Sequence, residues 1–354
     1  MLLEGKRILI TGGTGSLGKV LAARMLSGTL GEAKKVVILS RDEAKQQEMR
    51  LAYLHKRTTT DEVIYQNFMR ALEFRIGDVR DYADVCAAMR HADVVINAAA
   101  LKQVPTCEYF PDQAILTNCI GPMNIVRAIR EGGYAVKTVV GVSTDKACKP
   151  VNVMGMTKAV QERIFVSANI LSPETRFICV RYGNVLASRG SVIPLFHEQI
   201  RRGGPLTVTV PGMTRFLLTM EQAVDTVVAA LEQARAGETF IPHAPSATVM
   251  DIARALVDGR PVEIRADGIR PGEKMHEVLV SEEECHHTVR RGNYYVVRSM
   301  LPELSAGGGG GGEPLGRELN SADTVVGLPE VVQLLRRHRL MVDQVEPGGE
   351  ELLR

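Results

Sequence analysis

Along the first half of the chain, short runs of β-branched and aliphatic residues alternate with longer stretches in which apolar positions recur every three or four residues. The runs Arg7 to Thr11, Lys35 to Ser40, Leu72 to Gly77, Asp93 to Ala98, Lys137 to Ser143 and Arg176 to Arg181 predict strands. The clearest helical stretches between them are Lys19 to Leu26, Tyr82 to Arg90, Thr117 to Glu131 and Met154 to Asn169. This alternation predicts an α/β fold, a Rossmann-type doubly wound parallel sheet with ligands beyond the carboxyl ends of its strands.

After Gly183 the alternation loosens. Between Arg189 and Thr214 glycine, proline and basic residues replace it, and the chain is expected to leave the sheet there. A helix at Met220 to Ala236 and a short strand at Glu238 to Pro242 read as a return, and Val249 to Asp258 as another helix. The expected organisation is a dinucleotide-binding domain over 1–185, completed by 216–248, and a smaller, discontinuous substrate-binding domain from 186–215 and 249–306. Residues 307–312 are an unbroken run of six glycines, expected to act as a flexible linker. The terminal segment 313–354 follows, with a helix at Pro329 to Arg337 that can dock back.

Composition narrows the class of partner. Among 354 residues, 43 Lys and Arg stand against 41 Asp and Glu, so no large positive field favours nucleic acid or an acidic membrane surface. The longest apolar runs fall well short of the roughly 20 residues that span a bilayer, and charges interrupt any signal-peptide core in the opening MLLEGKRILITGG. Six cysteines are scattered without a C-x-x-C pair, which points to a reducing cytoplasm rather than a disulfide framework. Cys285-His286-His287 has no second ligand cluster beside it, so no metal is expected.

The strongest local signal is Thr11-Gly12-Gly13-Thr14-Gly15-Ser16-Leu17-Gly18, a T-G-x-x-G-x-x-G spacing between a strand and a helix. Glycine lets the backbone approach a pyrophosphate, and the helix N-terminus offers unsatisfied N–H donors. Gly12, Thr14, Gly15, Ser16, Leu17 and Gly18 are therefore candidate dinucleotide contacts. At the end of the second strand, where an acidic residue would select NAD, the chain has Ser40-Arg41-Asp42-Glu43-Ala44-Lys45. Ser40, Arg41 and Lys45 suit a 2′-phosphate, which makes NADP the expected cofactor. The alternative is that both cations are merely solvated. Asp78 is placed to accept the adenine amino group, with Val79 beside it, and the small residues Ala98 and Ala100 let backbone lie against the cofactor.

The fifth strand ends in Ser143-Thr144-Asp145-Lys146-Ala147, and the next helix carries Met154 and Lys158. Positions i and i+4 share a helical face. This is the Y-x-x-x-K arrangement of short-chain dehydrogenases with methionine in place of tyrosine.

With these motifs the chain resembles the extended short-chain dehydrogenase/reductase superfamily, and within it the inverting nucleotide-sugar 4,6-dehydratases of bacterial polysaccharide biosynthesis. The most specific pieces are Ser40 to Glu43, Ala98 to Pro105, Ser143 to Ala147, Arg181-Tyr182-Gly183-Asn184-Val185, Ser188 to Pro194 and Met213 to Phe216. The methionine variant is similar to the capsule and O-antigen branch that acts on UDP-N-acetylglucosamine. The hexaglycine and the missing tyrosine depart from the wider family pattern.

The resemblance implies a tightly bound NADP that is regenerated in each turnover. It takes a hydride from C4, the C5 proton and C6 hydroxyl are lost, and the hydride returns to C6 as a proton is delivered to the opposite face of C5. On this basis Lys146 is the expected C5 base and reprotonating acid, which requires a depressed pKa in a cation-rich site, and Asp145 the acid for C6 hydroxyl loss. Met154 cannot take a proton. Lys158 is expected to hold the nicotinamide ribose and to act on the C4 hydroxyl through a water in the space left by the phenol ring, with Ser143 or Thr144 orienting the sugar. Lys102, Asn184, Val192, Arg215, Arg270 and Glu273 are the candidate contacts to a UDP-N-acetylhexosamine. A homo-oligomer is expected. Two alternatives share the fold: a UDP-sugar 4-epimerase, and a catalytically silent NADP or nucleotide-sugar-binding subunit.

Overall fold

The computed structural model describes residues 1–54, 62–186, 188, 191–305 and 314–345. The glycine linker at 307–312, Arg189 and Gly190 of the Ser188 to Pro194 motif, and the last residues of the terminal segment lie outside the described residues. In the first half, β1 (Arg7–Thr11), α1 (Ser16–Leu26), β2 (Lys35–Ser40), α2 (Glu43–Leu54), α3 (Glu62–Ala71), β3 (Leu72–Ile76), α4 (Tyr82–Met89) and β4 (Val94–Asn97) alternate strand and helix. Two short helices, α5 (Val104–Tyr109) and α6 (Pro111–Ile115), lead through a π-helical turn at Leu116–Ile120 into α7 (Gly121–Gly132), then β5 (Thr138–Thr144), α8 (Val153–Leu171) and β6 (Arg176–Tyr182).

The second half is more broken. It runs β7 (Asn184–Val185), α9 (Val192–Arg201), β8 (Leu206–Val208), β9 (Thr214–Leu218), α10 (Met220–Gln233), β10 (Thr239–Pro242), β11 (Ser246–Thr248) and α11 (Val249–Val257). It closes with β12 (Ile264–Ala266), β13 (Val278–Val280), α12 (Glu282–Cys285), β14 (Thr288–Arg291), β15 (Tyr294–Val297), α13 (Pro302–Ser305), β16 (Leu319–Asn320) and α14 (Leu328–Arg337).

The large sheet has the order β14-β15-β10-β6-β5-β4-β1-β2-β3. All neighbours from β10 to β3 pair in parallel. Alternate strand residues feed opposite cores: Ile8, Ile10, Val36, Ile38 and Ile96 join one buried cluster, while Leu9, Leu39, Val95 and Val139 join the other. Both faces are covered, which is why these strands read as continuous apolar runs. The strand order reverses between β1 and β4, the crevice where an open α/β sheet binds its ligand.

The β14–β15 hairpin and the helices α9 and α2 differ from the sequence expectation. β14 and β15 form an antiparallel hairpin on the edge of the large sheet, although 249–306 reads as part of the smaller domain. Helix α9 crosses the stretch expected to be irregular, burying Ile193, Phe196 and Ile200. Helix α2, which buries only Gln46, Met49 and Tyr53, has too polar a surface for its period to stand out. The small sheets β11-β9-β7 and β12-β8 surround a separate core in which α14 packs Val331 and Leu335 with Ile252 and Leu256 of α11, while β13-β16 places Leu279, Val280 and Leu319 in another with Phe216 and Ile241. Among the described residues no helix is long and apolar enough to cross a membrane.

Candidate active site

The turn after β1 can only be built with glycine. Gly12 has a φ of +65°, and a Cβ there would lie 2.7 Å from Ala99 Cα. Its absence brings the loop against Ala98 and Ala99 after β4. Thr11 Oγ1 donates to Asn97 Oδ1 at 2.7 Å and ties the two strand ends together. Gly18 packs on the backbone of Gly13 with no room for a side chain. Gly15 caps α1 without any side-chain hydrogen bond over the first turn, which Ser16 and Leu17 begin. A glycine cradle at the switch point, opening on an uncapped helix N-terminus, fits a dinucleotide pyrophosphate.

Around the end of β2 the expected 2′-phosphate ligands are present but engaged. Thr14 is buried with its Oγ1 2.8 Å from Ser40 Oγ. Arg41 Nη1 lies 3.5 Å from Asp78 Oδ2, and Lys45 pairs with Asp42. Asp78 accepts from Arg80 Nε at 2.7 Å and from Arg80 N at 3.0 Å. Burial opposes its charge, yet the bonds to Arg80 hold its pKa below the ordinary value. Val79 buries its side chain against Gly121, and its carbonyl accepts from Asn124.

The acid/base cluster forms where β5 ends. Thr144 caps a 3₁₀ turn over Asp145–Ala147. Thr144 Oγ1 and Lys146 Nζ both donate to Asp145 Oδ1, at 2.9 and 3.0 Å, so this threonine orients Asp145. Glu277, just before β13, brings its Oε1 to 3.4 Å from Lys146 Nζ. Asp145 is fully buried and Glu277 is 2% exposed. Among the described residues, Ser143 Oγ, Asp145 Oδ2, Asn184 Oδ1, Ser191 Oγ and Glu277 Oε2 are buried without a hydrogen-bond partner. Such orphans carry a cost of about 1–3 kcal/mol each, and a native structure retains them where they serve a function or a bound group.

The expectation of a depressed Lys146 pKa is corrected. Burial does oppose its charge, but Asp145 and Glu277 together outweigh burial and the nearby Arg215, and the pKa is raised above the ordinary lysine value. The surroundings of Lys146 are carboxylate-rich, not cation-rich.

Lys158 is the lysine that burial does shift, down to about 8. Its Nζ donates to Gln161 Oε1 at 2.7 Å, and Gln161 also accepts from Asn97 at 3.3 Å and donates to the Val142 carbonyl at 2.9 Å. One turn earlier Met154 is buried against Cys107 and Ala114, with Leu101 and Val104 alongside. The Met154 thioether thus belongs to an apolar cluster. Gly155 is required where α8 meets the Asp145–Ala147 turn, since a Cβ would overlap the Lys146 carbonyl oxygen.

The expected substrate residues divide. Asn152 caps α8 and donates to the Gly272 carbonyl at 2.7 Å, and Lys274 Nζ donates to the Cys148 carbonyl at 2.7 Å. The Arg270 to Lys274 loop therefore lies on the N-terminus of α8. Glu273 accepts from the Arg270 backbone N at 3.2 Å, while the Arg270 side chain is exposed. Arg215 is buried with Nη1 on the carbonyls of Thr214 and Lys274 at 2.7 and 3.1 Å, so it serves this wall directly. Val192 opens α9, and Lys102 is exposed on the loop before α5.

Sequence reasoning missed Glu277, which comes from a distant segment with no motif of its own, the cap Asn152, and Gln161, which bonds Lys158 from within α8. It also missed the brace formed by Arg181, whose guanidinium bridges Glu162 and Glu284 at 2.6 to 3.0 Å and ties α8 to α12.

Residues 8–299 match the polysaccharide biosynthesis protein family, to which the chain belongs. The UDP-glucose 4-epimerases of Rickettsia typhi and Rickettsia canadensis are 44% identical over 295 residues, covering 82% of this chain and 82% of theirs. The structure of Pen from Bacillus thuringiensis superposes with a TM-score of 0.85 at 32% identity, over 96% of this chain and 100% of its own. The dTDP-glucose 4,6-dehydratase DesIV of Streptomyces venezuelae, solved with NAD and TYD, shares the fold at TM-score 0.64 and 19% identity, over 94% of this chain and 98% of its own.

Proposed function

We propose that this member of the polysaccharide biosynthesis protein family binds a nicotinamide dinucleotide, NADP in preference to NAD, and a UDP-N-acetylhexosamine, oxidises the sugar at C4 and removes water across C5 and C6, with inversion at C5. The observation that carries this reading is the Asp145–Lys146–Glu277 set, two buried carboxylates on a half-buried lysine. Oxidation at C4 needs one base for one hydroxyl, whereas water loss and reprotonation need a separate proton donor and acceptor.

The nicotinamide, when bound, would supply hydride acceptance and return. Lys158, with a pKa of about 8, can take the C4 hydroxyl proton near neutral pH. Lys146 is held as ammonium, which makes it the proton donor of the pair. Asp145 has a buried, unpartnered Oδ2 to serve as acceptor. This exchanges the roles that the motif alone suggests for the two residues. Asn184, the Arg270 loop and the N-terminus of α9 at Val192 are the proposed walls for the diphosphate and sugar.

A second reading, 4-epimerisation, needs the same C4 oxidation and no C5 chemistry. The names of the Rickettsia relatives support it more directly than they support dehydration. Incubation with UDP-N-acetylglucosamine and with UDP-glucose in deuterated water separates the readings. Dehydration gives a 6-deoxy-4-keto product with deuterium at C5. A 4-epimer free of deuterium at C5 establishes the epimerase, and binding without any conversion establishes a silent nucleotide-sugar-binding subunit.

A further inference from the structure

Lys146 has a second carboxylate that its own motif does not contain. Burying a carboxylate costs several kcal/mol unless a cation sits beside it. Glu277 is buried with Oε2 unpartnered among the described residues, so its stabilisation has to come through Oε1. Two cations face that oxygen: Lys146 at 3.4 Å from the turn after β5, and Arg215 Nε at 3.9 Å from β9. Arg215 is anchored on the carbonyls of Thr214 and Lys274. The nearer partner, and the one able to give up a proton, is Lys146.

The carboxylate is also fixed from behind. Glu277 N donates to Ser321 Oγ at 2.9 Å, and Ser321 Oγ lies 2.7 Å from Thr214 Oγ1. The terminal segment and β9 thereby hold the main chain at Glu277 in register with the turn after β5. Asp145, on the same turn as Lys146, meets its Nζ at 3.0 Å.

We infer that Glu277 is a positioning residue of the acid/base site: with Asp145 it brackets Lys146, keeps it charged and aims its Nζ. The consequence for turnover rests on the dehydratase reading, but the bracket itself can be tested without turnover.

The test is the rate of Lys146 acetylation by acetic anhydride, followed by mass spectrometry at pH 9. An opposite charge at this range raises a lysine pKa by about 1–3 units. Glu277→Gln is therefore expected to speed labelling of Lys146 about 10- to 1000-fold, and Glu277→Asp to stay near the wild-type rate. A Glu277→Gln rate equal to wild type, or a Glu277→Asp rate equal to that of Glu277→Gln, overturns the inference. Should Glu277→Gln not fold, Ser321→Ala, which releases the main chain at Glu277, is read instead: faster labelling of Lys146 than in the wild type supports the inference, and an equal rate overturns it. In turnover, the alkaline limb of kcat moves down by the same 1–3 units in Glu277→Gln. A protein that shows the labelling shift but never eliminates water loses the dehydratase reading and keeps the bracket.

Discussion

Replacing Lys158 with methionine is expected to make the cofactor-free protein more stable at pH 7 while abolishing turnover. Lys158 is 5% exposed, and burial lowers its pKa from 10.5 to about 8. Each unit corresponds to about 1.4 kcal/mol, so the folded protein carries a cost of about 3 kcal/mol below pH 8. Between pH 8 and 10.5 the unfolded chain binds more protons than the folded one, stability rises with pH, and the cost is gone above that window. Methionine removes the cost but deprives Gln161 Oε1 of its donor at 2.7 Å. Asn97 remains on the same oxygen at 3.3 Å, which limits that loss to about 1 kcal/mol. The net gain is then about 2 kcal/mol at pH 7 and turns into a loss of about 1 kcal/mol above pH 10.5. Urea unfolding of both proteins at pH 7 and at pH 10.5 or above measures the difference. A Lys158→Met variant less stable than wild type at pH 7, or a difference that does not change with pH, refutes the reasoning.

Gly12→Ala places a methyl 2.7 Å from Ala99 Cα at a φ of +65°. A loss of at least 1–3 kcal/mol in stability and of measurable dinucleotide binding is expected, by thermal unfolding and fluorescence titration. Arg181→Met leaves Glu162 and Glu284 buried without their cation and should cost about 3–5 kcal/mol at neutral pH. Burial opposes the Glu284 charge, but Arg181 holds its pKa down at about 2, against 4.5 in the unfolded chain. The wild-type advantage is therefore full above pH 4.5 and shrinks as the pH falls toward 2, which denaturation at pH 3 and pH 7 will show. Arg41→Ala should weaken NADP by about 1.5–3 kcal/mol and leave NAD unchanged; equal losses for both dinucleotides overturn the NADP preference.

The parallel sheet was legible because each of its central strands buries both faces and so writes an unbroken apolar run, as in Arg7–Thr11 and Thr138–Thr144. The glycine loop was legible because a close approach leaves room for one residue type alone. Helix α9 was not, since Ile193, Phe196 and Ile200 stand between glycine-rich segments that read as loop. The β14–β15 hairpin extends the large sheet from sequence far beyond its other strands, and the pairing partner of an edge strand is a tertiary choice that local pattern does not carry.

The pairing of Asp145 with Lys146 at the end of β5 was legible by type and place, but the direction in which the Lys146 pKa is displaced was not, and the reason is geometric. A motif reports its own neighbours, and near Lys146 it reports Asp145 alone. The nearby arginine, Arg215, is bound to the carbonyls of Thr214 and Lys274 and lies 3.9 Å from Glu277, so its charge is partly engaged by that carboxylate. Glu277 reaches Lys146 only because Ser321 and Thr214 fix the chain on which it sits. Two carboxylates against one nearby lysine favour the ammonium, whereas Lys158, bonded to the neutral amide of Gln161, is pushed toward the free amine. One site thus holds two lysines displaced in opposite directions, and under the proposed reading that separation would let one accept a proton while the other donates.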